Sequence, residues 1–473
     1  MARETMKADL CVIGAGAAGL TASAGAAQLG RSVVLFEAGE MGGDCLNTGC
    51  VPSKAILTAA HHVHAIRDGA RMGVSAGEPH IDFSAVMAHV RRAITAIEPN
   101  DSQERFEGFG VKVIRERARF IGPNTVESDS VLVKAKRFVI AAGSRAAIPP
   151  VPGLAEAPYL TNETIWSLEA LPEHLAILGG GPIGSELGQA FARLGAKVTI
   201  VEAERLLSRF EPEHAELVRA ALKADGVEII EGVRASRVDT VDGRPVLELE
   251  DGGQIKPSHL LVAAGRTPNV EHLNLEAAGV EADRAGIVCD DKLRTANRRV
   301  YAAGDIAGKG ALTHLAGWHG SVIVRNLYFG MPTRQSSAAI PGAVYTDPPV
   351  AQVGLTETEA REEHGDKVRT AAWGFDDNDR ALAEGADEGG AKLVIGPGAK
   401  LLGVHVAGDR ADDIVQLATL AVQRGAKVRE LTEAVAPYPT RGEVLKRAAG
   451  RYYEPVVFGP FARTWSRILT AFH

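Results

Sequence analysis

The chain reads as an α/β protein: two dinucleotide-binding folds of the Rossmann kind, then a smaller α+β module. Two observations predict this. One order of strand, glycine turn, helix, strand and terminal acid occurs twice, and from Pro341 the pattern changes to short strands alternating with helices. The 473-residue length suits about three domains, and a composition of 45% hydrophobic and 23% charged residues is that of an ordinary soluble globular chain.

The first fold begins with a buried parallel strand at 8–13, Ala-Asp-Leu-Cys-Val-Ile, which runs into Gly14-Ala15-Gly16-Ala17-Ala18-Gly19 and an Ala-rich helix over 17–29. Gly14 allows the tight turn, Gly16 lets backbone approach a pyrophosphate, and Gly19 lets helix pack on strand. The helix N-terminus offers amide donors to the phosphates. A strand at 33–36 ends at Glu37, 18 positions after Gly19, where an acid binds ribose hydroxyls. Helices follow to about Asp68 and over 83–106, then strands at 111–114 and 138–141 that lead to Ala142-Gly143-Ser144-Arg145. Pro149, Pro150, Pro152 and Gly153 break the pattern, which sets the first domain at 1–150.

The second fold repeats this grammar. Ala176-Ile177-Leu178 enters Gly179-Gly180-Gly181-Pro182-Ile183-Gly184 and a helix to about Leu194, and the strand at 197–201 ends at Glu202, again 18 positions past its third glycine. Glycines 179, 181 and 184 are the binding candidates. Strand-rich sequence from 227 to 262 reaches a second Ala-Ala-Gly ending at Gly265, followed by Arg266-Thr267-Pro268-Asn269. This domain is set at 151–275. Residues 276–340 hold a strand at 300–303, the pair Gly304-Asp305 and a helix over 311–325. The module over 341–473 has strands near 343–346, 350–353, 368–373, 391–396 and 401–407, with helices near 356–364 and 411–424.

The chemistry points to Gly42-Gly43-Asp44-Cys45-Leu46-Asn47-Thr48-Gly49-Cys50-Val51-Pro52-Ser53-Lys54. A Cys-x4-Cys pair directly after a nucleotide-binding pattern favours redox work, the alternative being two buried free thiols. In regular helix Cα45 and Cα50 would lie at least about 7.5 Å apart, whereas a disulfide needs roughly 4.4–6.8 Å. Asn47 and Gly49 must therefore let the turn deviate. Cys11, in a strand, and Cys289, in a short β-like run, are expected to be buried spectators.

The run GGDCLNTGCVPSK closely resembles the active-site helix of the FAD-dependent pyridine nucleotide disulfide oxidoreductases, which include dihydrolipoamide dehydrogenase, glutathione reductase and mercuric reductase. The resemblance covers nearly the whole chain. It implies two Rossmann-like dinucleotide-binding domains plus a C-terminal α+β dimerisation domain, a homodimer, and a redox-active Cys45–Cys50 disulfide with Cys50 facing the flavin and Cys45 exchanging with substrate. It places FAD on the first fold, with Gly143, Gly304 and Asp305 contributing, and NAD(P) on the second, an order that spacing alone leaves open. Lys54 and Glu186 correspond to a family pair near the flavin. Glu202 favours NAD over NADP, because a carboxylate there repels a 2′-phosphate.

The sequence departs from the family near its end. The His-Pro-Thr-x-x-Glu signature, whose His is the acid-base group oriented by the Glu, reads Tyr438-Pro439-Thr440-Arg441-Gly442-Glu443. A phenol with pKa about 10 takes a thiol proton less readily than an imidazole near 6.5. Tyr438 and Glu443 are retained as catalytic candidates. No cysteine follows Cys289, so the C-terminal cysteine pair of mercuric reductases is missing. The reading that results is a dihydrolipoamide-dehydrogenase-like enzyme acting on a small dithiol or disulfide. The alternatives are a mercuric-reductase-like metal or quinone reductase, or a flavin-bound partner protein without turnover.

A net charge of −7 without a basic stripe disfavours nucleic acid or an anionic membrane as partner for the surface as a whole. The apolar run at 8–13 is too short for a signal segment and no stretch offers about 18 apolar residues, which suggests a cytoplasmic protein. The histidines form no metal-ligand grouping. Phe461, Trp465, Ile468, Leu469 and Phe472 recur at helical spacing with Arg463 and Arg467 off that stripe. Packing on the protein's own body is the expected use of 461–472, with a membrane surface or a partner as the alternative.

Overall fold

The computed structural model describes residues 3–337 and 339–471. Its first segment runs β1 (Glu4–Ile13), α1 (Ala17–Gln28), β2 (Val33–Phe36), α2 (Gly43–Asn47), α3 (Cys50–Asp68), α4 (Phe83–Ile97), α5 (Gln103–Gly108), β3 (Val111–Ile114), β4 (Arg119–Gly122), β5 (Thr125–Glu127) and β6 (Val131–Ile140). β3, β2, β1 and β6 lie side by side and parallel. Helices cover both faces of such a sheet, so its strands read as apolar runs rather than alternating ones. Leu10, Cys11, Val12, Phe138, Val139 and Ile140 are accordingly buried. The helix expected over 83–106 is two helices: Pro99 opens a short 3-10 turn, and the Ser102 hydroxyl caps α5 by accepting from the Arg105 amide.

A short strand β7 (Ser144–Ala146) leads into the second fold: β8 (His174–Leu178), α6 (Pro182–Arg193), β9 (Lys197–Glu202), α7 (Pro212–Ala224), β10 (Glu228–Glu231), β11 (Ala235–Val241), β12 (Arg244–Leu249), β13 (Gln254–Ile255), β14 (His259–Val262) and β15 (Arg266–Pro268). The parallel sheet has the order β10-β9-β8-β14, β11 to β13 form an antiparallel sheet, and β15 pairs with β7. After a small hairpin, β16 (Ala282–Asp283) and β17 (Gly286–Ile287), the chain returns to the first sheet through β18 (Val300–Ala302), parallel to β6, and α8 (Thr313–Tyr328).

The last module holds β19 (Gly342–Val344), β20 (Val350–Gly354), α9 (Glu357–His364), β21 (Arg369–Gly374), α10 (Asp379–Glu384), β22 (Gly390–Ile395), β23 (Leu401–Ala407), α11 (Ala411–Gln423), α12 (Val428–Glu433), α13 (Glu443–Val457) and α14 (Pro460–Thr470). Its antiparallel sheet has the order β19-β20-β23-β22-β21. The seam with the second fold is charged: Lys392 Nζ lies 2.7–2.8 Å from carboxylates of Glu211, Glu213 and Glu357. No helix is long and apolar enough to cross a membrane among the described residues.

Two expectations are corrected. The apolar stripe of α14 does not pack on the body, since no residue of that helix is buried; Pro455 inside α13 and the Gly459–Pro460 step carry it away from the core. Phe472 lies outside the described residues. Cys11 is buried as expected, but Cys289 is only half-buried.

The two glycine turns are built alike. A Cβ on Gly19 would lie 1.9 Å from the Gly14 carbonyl oxygen, and one on Gly184 1.9 Å from that of Gly179, because each helix crosses its strand at backbone contact. Gly184→Ala is therefore expected to lose about 1–3 kcal/mol or more to overpacking, measured by chemical denaturation; an unchanged midpoint would show that α6 yields at no cost.

Candidate active site: a dithiol turn at a dinucleotide cavity

The dithiol sits where one helix fails and another starts. α2 ends at Asn47, Thr48 and Gly49 leave helical geometry (Gly49 at φ −118°, ψ −106°), and α3 begins on Cys50. The deviation falls at Gly49, as expected, whereas Asn47 stays helical and its side-chain amide donates to the Met41 and Gly43 carbonyls. The break brings the Cys45 and Cys50 thiols into hydrogen-bond contact. Both are free thiols here, the reduced form of the pair.

That contact separates their acidities. Cys50 is lowered to about 6, first by the hydrogen bond from Cys45, then by the Thr313 hydroxyl and the Lys54 charge, against the cost of burial. Its Sγ lies 3.3 Å from Thr313 Oγ1. Cys45 is pushed up, first by the same hydrogen bond and then by burial, and so holds its proton. Near neutral pH the pair is a Cys50 thiolate that accepts from a Cys45 thiol.

Lys54 Nζ sits 2.7 Å from Glu186 Oε2 and 4.1 Å from the centre of the Tyr345 ring. Buried Glu186 also accepts from the Tyr345 amide at 3.0 Å, which fixes it on the first turns of α6. A second network holds the turn from its other side. The Asp44 carboxylate accepts from the Thr48 hydroxyl at 2.5 Å, the Asn162 amide at 3.1 Å and Arg266 at 2.8 Å, and the Trp166 indole donates to the Thr48 carbonyl at 2.9 Å. Arg266 continues to the Ser144 hydroxyl at 2.6 Å, which donates to Asp305 at 2.5 Å.

Asp44, Cys45, Thr48, Ser144, Arg266 and Thr313 line a cavity of about 860 Å³ that runs from Glu37 past Gly14, Gly16, Gly43 and Gly143 to Gly304 and Asp305; Cys50, Lys54 and Glu186 stand outside that lining. Its size and shape fit a large dinucleotide. Gly14 (φ +106°) and Gly19 press against backbone, yet a Cβ on Gly16 or Gly143 would meet nothing within 4 Å, so backbone at those two faces open space at the mouth of α1. Glu37 accepts from the Ala15 amide and the Gly39 amide, both at 2.6 Å, at the far end. The residues fit FAD.

The second turn is its counterpart. Gly181 is equally open, Gly179 (φ +112°) packs on the Ala263 carbonyl, and Glu202 accepts from the Gly180 amide at 2.5 Å and the Glu204 amide at 2.9 Å. Gly265 (φ +122°) closes β14. This set fits a second, smaller nucleotide. Arg205 turns its guanidinium to the Ser208 and Phe210 carbonyls, at 3.3 and 3.2 Å.

Two candidates are not brought to the thiols within one chain. Tyr438 is 70% exposed on the last module, and its hydroxyl donates to Asp379 at 2.7 Å, which raises its pKa. Glu443 heads α13 and accepts from the Thr440 amide at 3.4 Å, so it does not orient Tyr438. Sequence reasoning missed Thr313, Asp44, Arg266, Asn162 and Trp166. Asp44 lies inside the cysteine motif and Arg266 directly after Ala-Ala-Gly, where their charges were a usable signal; Asn162 and Trp166 had none.

A family model described as pyridine nucleotide-disulphide oxidoreductase matches residues 8–320, and that family's dimerisation domain matches residues 340–449. Mercuric reductase of Streptomyces lividans is 36% identical over 459 residues, covering 95% of this chain and 97% of that protein. Dihydrolipoyl dehydrogenase of Thermus scotoductus is 36% identical over 464 residues, covering 95% and 98%. Among solved structures, the HOCl-induced flavoprotein disulfide reductase RclA from Escherichia coli, in a Cu(II) complex, superposes with a TM-score of 0.83 at 25% identity over 93% of this chain and 98% of its own.

The acidity split gives a direct expectation. Cys45→Ala removes the donor that stabilises the Cys50 thiolate, so the Cys50 pKa should rise from about 6 toward the ordinary thiol value of about 8.5. The pH dependence of Cys50 alkylation in the reduced protein reads it; a midpoint that stays near 6 would assign the shift to Thr313 and Lys54.

Proposed function

Because the chain belongs to the pyridine nucleotide-disulphide oxidoreductase family, we propose that it is a homodimeric, cytoplasmic, NADH-linked flavoprotein that passes an electron pair through Cys45 and Cys50 to a small disulfide of the lipoamide kind. The family binds FAD and a pyridine nucleotide and carries a dimerisation domain. We assign residues 1–150 and 276–340 to flavin, 151–275 to NAD, and 341–473 to a dimer-interface domain that ends in an amphipathic tail. The observation that carries the reading is the thiol pair beside the larger cavity: Cys45 lines it, and Cys50 reaches its wall through the Thr313 hydroxyl.

Bound FAD supplies the two-electron relay between a nicotinamide and the sulfurs. The residues supply the rest. Gly14, Gly16, Gly19, Glu37, Gly143, Gly304 and Asp305 hold and orient it, and Gly179, Gly181, Gly184, Glu202 and Gly265 do the same for NAD. Lys54, neutralised in part by Glu186, places positive charge beside the Cys50 thiolate. Cys45, once deprotonated, attacks one sulfur of the substrate disulfide and displaces the other as a thiolate; Cys50 then attacks Cys45, forming the Cys45–Cys50 bond and releasing the second substrate thiolate. Two protons complete the dithiol product. Tyr438, lent by the partner subunit, is the proposed proton donor beside that leaving thiolate, with Glu443 holding its loop.

One observation favours a second acceptor. Cys45 keeps its proton and the base that would remove it is a phenol, not an imidazole. A soft metal ion needs no such base, because binding to thiolates itself displaces the protons. Mercuric reductases among the relatives and the Cu(II) complexes of RclA support that reading.

Steady-state turnover with NADH separates the two. Tyr438→His should raise lipoamide reduction by about tenfold or more and leave Hg(II) or Cu(II) reduction nearly unchanged; equal rates for both variants on lipoamide would remove Tyr438 from proton transfer. Glu202 predicts a kcat/KM for NADH at least about tenfold above that for NADPH, narrowed by Glu202→Ala. Preference for NADPH would contradict the assignment.

A further inference from the structure

Helix α14 presents a face that no other described residue of its own chain buries. Phe461 is 82% exposed, Trp465 53%, Ile468 44% and Leu469 45%. At 100° per residue these four span roughly a third of the circumference, with Arg463 and Arg467 on the opposite side. Gly459 makes the turn into this helix, since a Cβ there would lie 2.6 Å from the Pro455 carbonyl oxygen.

The charge of this tail differs from that of the rest. The whole chain has 59 acidic residues and a net charge of −7, yet residues 455–473 contain no Asp or Glu and two Arg. The dimerisation-domain match ends at residue 449, before α14 begins. Standing outside that match, four side chains on an eleven-residue helix would not by themselves form a stable protein interface, which takes about 800 Å² and 20–30 residues from each partner. Large apolar side chains opposite arginines, with acids excluded, form the pattern of a helix that lies in the plane of a bilayer surface.

We propose that α14 is a membrane-surface anchor that inserts Phe461, Trp465, Ile468 and Leu469 into the boundary region of an anionic lipid bilayer. Phosphate headgroups attract Arg463 and Arg467, and juxtaposed basic residues strengthen such binding until salt screens them. Neither β-strands nor active-site residues change place; the enzyme body is held at the lipid surface through the Gly459–Pro460 turn.

The test uses the full-length, flavin-loaded protein and sucrose-filled vesicles of phosphatidylglycerol with phosphatidylcholine, or of phosphatidylcholine alone. Cosedimentation should be at least tenfold greater with the anionic vesicles, fall at high salt, and be lost in Phe461→Glu with Trp465→Glu. Arg463→Glu with Arg467→Glu should weaken it tenfold. Retained flavin and an unchanged melting temperature report that the variants fold, and light scattering should return the same oligomer throughout. Wild-type protein left in the supernatant with anionic vesicles would overturn the proposal. So would dissociation of the oligomer in the Phe461 and Trp465 variant, which would assign the face to a second copy of the chain.

Discussion

The active site depends on one interruption of helix, at Thr48 and Gly49. Had residues 43–68 formed a continuous helix, the two thiols would stand more than a turn apart and would lose the mutual hydrogen bond that is the largest cause of their divergent acidities. The interruption turns Cys45 into a hydrogen-bond donor to Cys50, and that contact, with burial at Cys45 and with Thr313 and Lys54 at Cys50, drives the two acidities apart. The turn is not free to relax. Gly42 donates to the Ala15 carbonyl at 3.0 Å, a Cβ on Gly43 would lie 2.9 Å from the Gly16 Cα, and Asp44, Asn162 and Trp166 grip the far side. The sulfur pair is thus referenced to the same glycine turn that faces the dinucleotide cavity.

Much of this arrangement was legible in the sequence because backbone constraints leave residue-specific marks. Gly14, Gly19, Gly179 and Gly184 are glycines because a Cβ has no room, whereas Gly16 and Gly181 face open space. Glu37 and Glu202 end their strands so that each carboxylate reaches a turn amide. These are short-range demands, and a repeat of all of them in order carries far more information than any one. The same holds for Gly49, whose backbone angles end the first helix.

What was hidden is what tertiary contact decides. Trp166 and Asn162 lie more than 110 positions from the turn they hold, so no periodicity marks them. Pro99 and Ser102 do mark the break between α4 and α5, but the apolar pattern on both sides overrode them in the reading. Tyr438 was visible as a substitution within a motif; that its hydroxyl faces Asp379 rather than Glu443 depends on α10, from a different stretch. The apolar stripe of α14 was plain, yet a stripe states only that something covers it, and among the described residues nothing buries it. The net charge of −7 argued against an anionic surface for the protein as a whole, while the local absence of acids after residue 454 points the other way.

The central claim is that Cys45 and Cys50 act as one two-electron couple. The direct test equilibrates the protein across a series of thiol–disulfide buffers, alkylates the free thiols at each potential and maps the peptides by mass spectrometry. The account predicts that Cys45 and Cys50 lose alkylation together along a single two-electron curve, as one intramolecular disulfide, while Cys11 and Cys289 do not pair. Independent curves for the two residues, or a bond from either to Cys289, would contradict it.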